Sequence, residues 1–425
     1  MTSSSPKKPT RGVRSKPRVG LALAGGGPLG AVYEIGALCA LQEALDGLSL
    51  TRLDHYVGVS AGGFIAAGLA NGMSPHELCA AFIDGTDSAA EVFDPAWLMV
   101  PAYGEFLRRA IMLPGVAASA LWRATVAGKS WLNALEALGP ALPTGVFSNA
   151  QVDVQLARLF SAPGRSNDFR QLRTRLTLVA THLDSGEAAP FGQPGWDHVP
   201  ISKAVQASAA LPGLFPPVEI DNQYFVDGAL KKTMHASVAM DEGIDLMFCI
   251  NPLVPFDATR SPRAAAQPRV MSRGLPLDKR VIPRIVDGGL PAVMSQTFRA
   301  MIHSRLELGM KHYAQAYPNT DIVLIEPDQR DAEMYLANTF SYGQRRQMAE
   351  HAYQQTRQLL RSRQTTLAAK LAPHGVAINR AVLDDATRHL VAARPPATRL
   401  GRAMASLEDL IDDLSRVTRQ PSSRA

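Results

Sequence analysis

A chain of 425 residues, of which 46% are hydrophobic and 19% charged, is long enough to bury a substantial core, so we expect a globular protein. The net charge of +6 resides in residues 1–18, which carry six Lys or Arg and no acid, while the remainder holds 38 basic and 38 acidic residues. This Ser- and Pro-rich segment predicts a disordered basic leader, and the neutral body argues against a nucleic-acid partner. Three widely separated cysteines exclude a disulfide framework and a CxxC metal site.

The apolar stretch at residues 19–24 is too short for the core of a secretory signal, and no apolar run approaches the roughly 18 residues that a membrane-spanning helix needs. We therefore expect a cytoplasmic protein. Peripheral contact with a membrane stays open, because a basic leader attracts anionic lipid surfaces.

Short apolar runs alternate with amphipathic helical runs from residue 19 onward. Alternation of this kind is typical of a layered α/β fold with a mainly parallel central sheet. The predicted strands are VGLALA (19–24), HYVGVS (55–60), RLTLVATHL (175–183), YFVDGAL (224–230), DLMFCINPL (245–253) and DIVLIEP (321–327).

Two stretches interrupt the alternation. Residues 88–148 are rich in Trp, Phe, Leu and Met, which predicts a helical insertion that either caps a lipid site or simply fills core. Residues 254–288 mix Pro, Arg and Ser without periodicity and predict a long loop. We place the main α/β domain at residues 19–362 and a helical C-terminal extension at 363–425.

The run Gly25-Gly26-Gly27-Pro28-Leu29-Gly30 follows the first strand and precedes a helix. Consecutive glycines there expose backbone N–H groups beside the positive end of the helix, which suits an anion. A dinucleotide-binding fold uses the same GxGxxG turn, but it would place an acid at the end of its second strand. Here that strand ends in Ser60, and Asp54 precedes it.

The pentapeptide Gly58-Val59-Ser60-Ala61-Gly62 has the form of a nucleophile elbow, in which a serine sits on a tight turn between strand and helix. The alternative interpretation is a serine that only caps the helix. A catalytic Ser60 would need a base and donors for the oxyanion.

Two kinds of base are available in the sequence. His182, His198 and His235 are histidines of no distinctive context. Asp227-Gly228-Ala229 instead places a carboxylate at the end of a predicted strand, although an Asp-Gly pair is also common in hairpin turns.

The runs GGGPLG, GVSAG, ASAALPGLFPPV (207–218) and DGA, in this order and spacing, resemble the patatin-like phospholipase family of lipid acyl hydrolases. The resemblance implies a three-layer α/β/α sandwich, a dyad of Ser60 as nucleophile and Asp227 as general base, and no metal or cofactor. It further implies an oxyanion hole at the glycine loop and small residues around the dyad. These positions are Gly25, Gly26, Gly27 and Gly30 in the loop, and Gly58, Gly62, Gly228 and Ala229 in the motifs.

The expected function is hydrolysis of carboxylic esters of lipids, with Asp227 buried enough to raise its pKa. Leu29 stands where the family often has Arg or Lys, which disfavours a phospholipid head group relative to a neutral ester. The alternatives are a catalytically inactive patatin-fold scaffold, a membrane-surface binding protein and a nucleotide-binding oxidoreductase.

Overall fold

The computed structural model describes residues 16–84, 100–125, 139–259, 284–336 and 342–391. An eight-stranded sheet in the order β6-β7-β4-β3-β1-β8-β9, with β5 paired to β4, forms the centre of the fold. A separate pair joins β2 to β10. The strands are β1 (Val19–Leu23), β2 (Leu45–Asp46), β3 (His55–Gly58), β4 (Arg175–His182), β5 (Ala188–Phe191), β6 (Val218–Ile220), β7 (Gln223–Asp227), β8 (Leu246–Ile250), β9 (Asp321–Ile325) and β10 (Ala377–Ile378).

The five strands β4-β3-β1-β8-β9 are parallel, whereas β5, β6 and β7 run antiparallel to their neighbours. The predicted mainly parallel sheet is therefore confirmed. Because the parallel strands end on one edge, the segments after β1 and β3 lie side by side there, where open α/β sheets collect their sites.

Helices cover both faces of the sheet, which confirms the α/β/α sandwich. The helices are α1 (Gly27–Ala44), α2 (Ala61–Ala70), α3 (Pro75–Cys79), α4 (Tyr103–Thr125), α5 (Ala150–Phe160), α6 (Ile201–Ser208), α7 (Ser237–Met240), α8 (Gly289–Ala316), α9 (Ala332–Leu336), α10 (Tyr342–Ser362), α11 (Gln364–Leu371) and α12 (Arg380–Asp384).

Side-chain alternation along the strands divides the core into two layers. Leu21 and Leu23 point to a large layer shared with α1, α2, α6 and α10. Ala22 and Ala24 point to a smaller layer that α7 and α8 cover through residues such as Met240 and Leu306.

The predicted insertion at 88–148 contributes α4, whose base is tied to the sheet domain. Pro101 pairs with Phe147 and Gly145 with Gly213 in isolated β-bridges. The Phe147 N–H donates to the Leu214 carbonyl at 2.9 Å. Residues 85–99 and 126–138 of this region lie outside the described residues.

The described part of the C-terminal extension packs on the same core, since Leu367, Leu371 and Leu383 belong to the layer that contains α1. The domain boundary at 363 stays a prediction. Residues 1–15, most of the 254–288 loop and the last 34 residues lie outside the described ranges. The long helix α8 was not among the predicted elements, although its Ala, Met, Leu and Lys content favours helix.

Candidate active site

Ser60 occupies a strained turn between β3 and α2. Its φ of 55° is in the left-handed region, which is uncommon for a residue with a side chain and recurs at functional sites. The turn is tight because Gly62 lies directly against the end of β1, where an added Cβ would come within 2.5 Å of the Ala24 carbonyl oxygen. The Ser60 side chain is 7% exposed and makes no capping hydrogen bond to its helix. The helix-cap alternative is therefore wrong.

Asp227 lies at the end of β7, opposite Ala180 of β4. Gly228 lets the chain turn there, since a Cβ on it would stand 2.1 Å from the Val179 carbonyl oxygen. The Ala229 N–H donates to Asp227 Oδ1 at 2.9 Å. The Ser60 side chain also acts on this carboxylate, since it lowers the pKa of Asp227. The structure thus brings together the two side chains that the sequence nominated, from strands separated in the chain by more than 160 residues.

The Asp227 carboxyl is only 3% exposed. Burial raises the pKa of Asp227 to about 6, although the hydrogen bonds from Ala229 and Ser60 act in the opposite direction. A carboxylate with such a pKa is a better proton acceptor than an exposed aspartate and is still mostly ionised at neutral pH.

The glycine loop faces the dyad. A Cβ on Gly25 would lie 3.0 Å from Ser60 Cβ, 3.6 Å from Ser60 Oγ and 3.4 Å from the methyl group of Ala229. Within the described ranges, no acceptor receives the N–H groups of Gly25 and Gly26. Gly27 begins α1, so the positive end of that helix adds to the loop.

The remaining predicted glycines are structural. Gly30 donates its N–H to the Gly26 carbonyl at 3.0 Å and packs on Pro252, so it shapes the loop and presents no free N–H. Gly58 allows the end of β3 to pack directly against α2, because a Cβ on Gly58 would come within 2.4 Å of Gly63 Cα.

None of the three histidines is placed as the base. His182 and His198 pair with Ser185 and Asp221, respectively. The buried His235 hydrogen-bonds the Gly228 carbonyl through Nε2 at 3.3 Å. Burial lowers the pKa of His235 to about 4, so its ring is neutral at pH 7. Its hydrogen bond to Gly228 stabilises the turn that follows Asp227.

A largely apolar cavity of about 630 Å³ opens over the dyad, and Ser60, Asp227 and Gly25 to Gly27 form part of its wall. Its volume is in the range of cavities that hold small ligands. Apolar lining comes from several regions distant in sequence and includes Phe147, Leu214, Phe215, Phe298 and Met301.

Three arginines that sequence reasoning missed also line this cavity: Arg299 and Arg305 of α8 and Arg345 of α10. The half-buried Arg299 donates to the Val254 carbonyl at 3.4 Å and lies 5.8 Å from the Tyr335 ring centre. No carboxylate in the described ranges pairs with it, and burial lowers its pKa. Isolated arginines give no sequence signal, since only the packing of α8 and α10 brings them to the cavity.

Two further properties concern the residues that the structure describes. None of their helices combines the length and apolarity needed to cross a bilayer. Nor do their His, Cys, Asp and Glu side chains form a group of three that could hold a metal ion.

Comparison with solved structures gives distant similarities. VipD from Legionella pneumophila is 18% identical, with 82% of this chain and 67% of that chain covered and a TM-score of 0.35. A structure of the type III effector ExoU is 15% identical, with coverages of 96% and 67% and a TM-score of 0.31. Full-length ExoU of Pseudomonas aeruginosa in complex with SpcU is 21% identical, with coverages of 46% and 38% and a TM-score of 0.23.

All three TM-scores lie below 0.5, so the family assignment rests on a sequence model. The model described as "Patatin-like phospholipase" matches residues 21–240, just over half of the chain. The matched region contains the glycine loop, Ser60 and Asp227. The chain belongs to the patatin-like phospholipase family.

Proposed function

We propose that the protein is a serine acyl hydrolase that cleaves carboxylic esters of lipids with Ser60 as nucleophile and Asp227 as general base. The observation that carries this proposal is that Ser60 and the buried Asp227 lie together on the wall of one apolar cavity, where Ser60 acts on the Asp227 carboxylate. Membership of a lipid-hydrolase family supports the same chemistry.

The reaction begins when Ser60 Oγ attacks the ester carbonyl carbon and its proton moves to the Asp227 carboxylate. The N–H groups of Gly25 and Gly26, and the N-terminal end of α1, stabilise the resulting oxyanion. Collapse of the tetrahedral intermediate expels the alcohol, which takes the proton from Asp227 and leaves an acyl group on Ser60. Water then attacks the acyl carbon and gives a proton to Asp227. The second collapse returns that proton to Ser60 Oγ and releases the fatty acid.

A catalytically inactive scaffold is the main alternative. Such a scaffold does not require a strained Ser60, two glycine N–H groups that lack an acceptor within the described ranges, and a carboxylate whose pKa is raised by burial, all in one cavity. Each of these features costs folding free energy, so their coincidence favours the enzyme.

Removal of either dyad member is expected to abolish hydrolysis. Ser60→Ala and Asp227→Asn should each lower kcat on a short-chain p-nitrophenyl ester by at least about 10³-fold, because the nucleophile or its base is lost. Ser60→Ala should also abolish labelling by a fluorophosphonate. Ser295, another serine on the cavity wall, provides the control Ser295→Ala, which should label normally.

Thermal unfolding at pH 8 separates a chemical defect from misfolding in these variants. Asp227→Asn should melt at or above the wild-type temperature. The raised pKa of Asp227 means that the folded state loses stability as the pH rises from about 4 to about 6, and the neutral amide avoids that loss. Esterase activity retained by Asp227→Asn would overturn the dyad assignment.

The pH dependence of hydrolysis should report Asp227. Only the ionised carboxylate accepts a proton, so kcat/KM on an uncharged ester should rise with pH through a midpoint near 6 and stay high above pH 7. His235→Asn, which tolerates the left-handed backbone at that position, should leave the midpoint in place. A midpoint near pH 4, or one that moves with His235, would contradict Asp227 as the base.

The charge of the cavity bears on the substrate. Besides Asp227, the charged residues of its lining are Arg299, Arg305 and Arg345. Arg299 is half-buried and has no carboxylate partner within the described ranges, and a guanidinium so placed binds phosphate oxygens through strong charged hydrogen bonds. Although position 29 carries an uncharged leucine, these arginines give the cavity positive charge. We infer that phospholipids are substrates.

Arg299→Gln is expected to raise KM about tenfold for phosphatidylglycerol, because it removes a charged hydrogen bond to the head group. It should change KM by less than about twofold for a diacylglycerol of the same acyl chains. Lys311→Gln is the matched control, since Lys311 is an exposed cation of the same helix outside the cavity. Equal effects of Arg299→Gln on the two lipids would contradict head-group recognition.

Helix α4 is suited to meeting a lipid surface. Leu107, Ile111 and Trp122 fall on one side of it and are 64%, 73% and 60% exposed. Its base is joined through Phe147 to Leu214, and both of these residues line the cavity. Arg108 and Arg109 both pair with Glu105, so apolar contact rather than charge dominates the helix. We infer that α4 rests on the bilayer beside the cavity.

Leu107→Ser/Ile111→Ser should weaken binding to phosphatidylcholine vesicles by more than about tenfold in a flotation assay, because two exposed aliphatic side chains no longer enter the lipid. Hydrolysis of a soluble short-chain ester should be unchanged. Leu183→Ser, at an exposed leucine after β4, is the control. Undiminished vesicle binding by the double variant would exclude α4 as the contact.

A further inference from the structure

The segment at residues 207–218 is not used in the proposed mechanism, yet it begins directly beside the dyad. It starts at the end of α6, a helix whose residues are nearly all buried. Asn149 anchors α6 by exchanging two hydrogen bonds of 3.1 Å with Gln206. The first residues of the segment are therefore held rigidly.

Ser208, the last residue of α6, has no exposed surface. Its hydroxyl donates to the Val179 carbonyl of β4 at 2.6 Å. The same oxygen accepts the backbone N–H of Ser60 at 2.8 Å. Because the hydroxyl proton is committed to Val179, only a lone pair can face Ser60, and the direction of both bonds is fixed.

The same segment also holds Asp227. The Ala210 carbonyl accepts the Asp227 backbone N–H at 3.0 Å. Ser208 and Ala210 are two residues apart, so one short piece of chain fixes the backbone of both dyad members. The Val179 carbonyl that receives the Ser208 hydroxyl is also the atom against which Gly228 packs.

The geometry points to Ser208 as a positioning residue for the nucleophile. Its hydroxyl holds the Ser60 backbone in the left-handed turn. The Ser60 hydroxyl is thereby kept beside the Asp227 carboxylate, to which it passes its proton. This inference rests on the proposed roles of Ser60 and Asp227. Ser208 lines no part of the cavity, so it acts through Ser60 and not on the substrate.

Loss of the Ser208 hydroxyl should therefore affect the chemical step and not substrate binding. Without its acceptor, the Ser60 N–H is left buried and unpaired, and the strained turn can relax toward an ordinary helix start. Displacement of a catalytic group by an ångström costs up to about 100-fold in rate. The cavity wall stays in place, so KM should remain near its wild-type value.

The test compares Ser208→Ala with Ser202→Ala on a soluble ester. Ser202 is a buried serine of the same helix, about 9 Å from Ser208 along the helix axis. Its hydroxyl accepts a hydrogen bond from Asn167 at 3.0 Å, so its replacement removes a buried bond that does not involve Ser60 or Asp227. We expect Ser208→Ala to lower kcat about 10- to 100-fold with KM within about twofold. Ser202→Ala should keep the wild-type kcat. Ser208→Cys, whose sulfur is a weaker acceptor, should fall between Ser208→Ala and wild type.

Wild-type kcat in Ser208→Ala, or a raised KM with kcat unchanged, would overturn the inference. If circular dichroism shows that Ser208→Ala does not fold, Ser208→Cys decides, and wild-type kcat there would equally overturn it. Ser60→Ala, measured in parallel, distinguishes a failure of the proposed function from a failure of the role of Ser208. An active Ser60→Ala would overturn the proposed function itself, whereas an inactive Ser60→Ala beside a fully active Ser208→Ala would overturn only the role of Ser208.

Discussion

Burial of the Asp227 carboxyl against the Ser60 hydroxyl is the interaction on which the rest of the site depends. An exposed aspartate is too weak a base to activate a serine, and an aspartate buried without a partner would stay protonated at neutral pH. Asp227 lies between these limits, because burial raises its pKa while the hydrogen bonds from Ala229 and Ser60 keep it near 6. In the proposed mechanism, a serine and a carboxylate are then sufficient, without a histidine between them.

This environment is produced by the change of strand direction in the sheet. β3 and β4 are parallel, whereas β7 returns antiparallel to β4. The Asp227 turn therefore lies beside β4, near the elbow that follows β3. Residues 208–210 cross this point and bind the backbone of both Ser60 and Asp227. The glycine loop after β1 closes the third side, so three local turns on one sheet supply the proposed nucleophile, base and anion site.

The sequence predicted the parts of this arrangement that depend on local pattern. Apolar runs identified the central strands, and glycines around Ser60 and after Asp227 indicated turns that only small residues permit. Short edge strands such as β5 and β6 carry too few residues for a pattern, and α8 is only weakly amphipathic. The role of Ser208 depends on a contact between residues 148 positions apart. Likewise, the uncharged Leu29 suggested a neutral substrate. The local sequence does not show that the packing of α8 brings the cation Arg299 to the same cavity.

The most direct test of the account is a crystal structure of the protein after reaction with a long-chain alkyl fluorophosphonate. We predict a phosphorus atom bonded to Ser60 Oγ, a phosphonyl oxygen within about 2.7–3.1 Å of the N–H groups of Gly25 and Gly26, and the alkyl chain inside the apolar cavity. An adduct on another residue, or a phosphonyl oxygen turned away from the glycine loop, would contradict it.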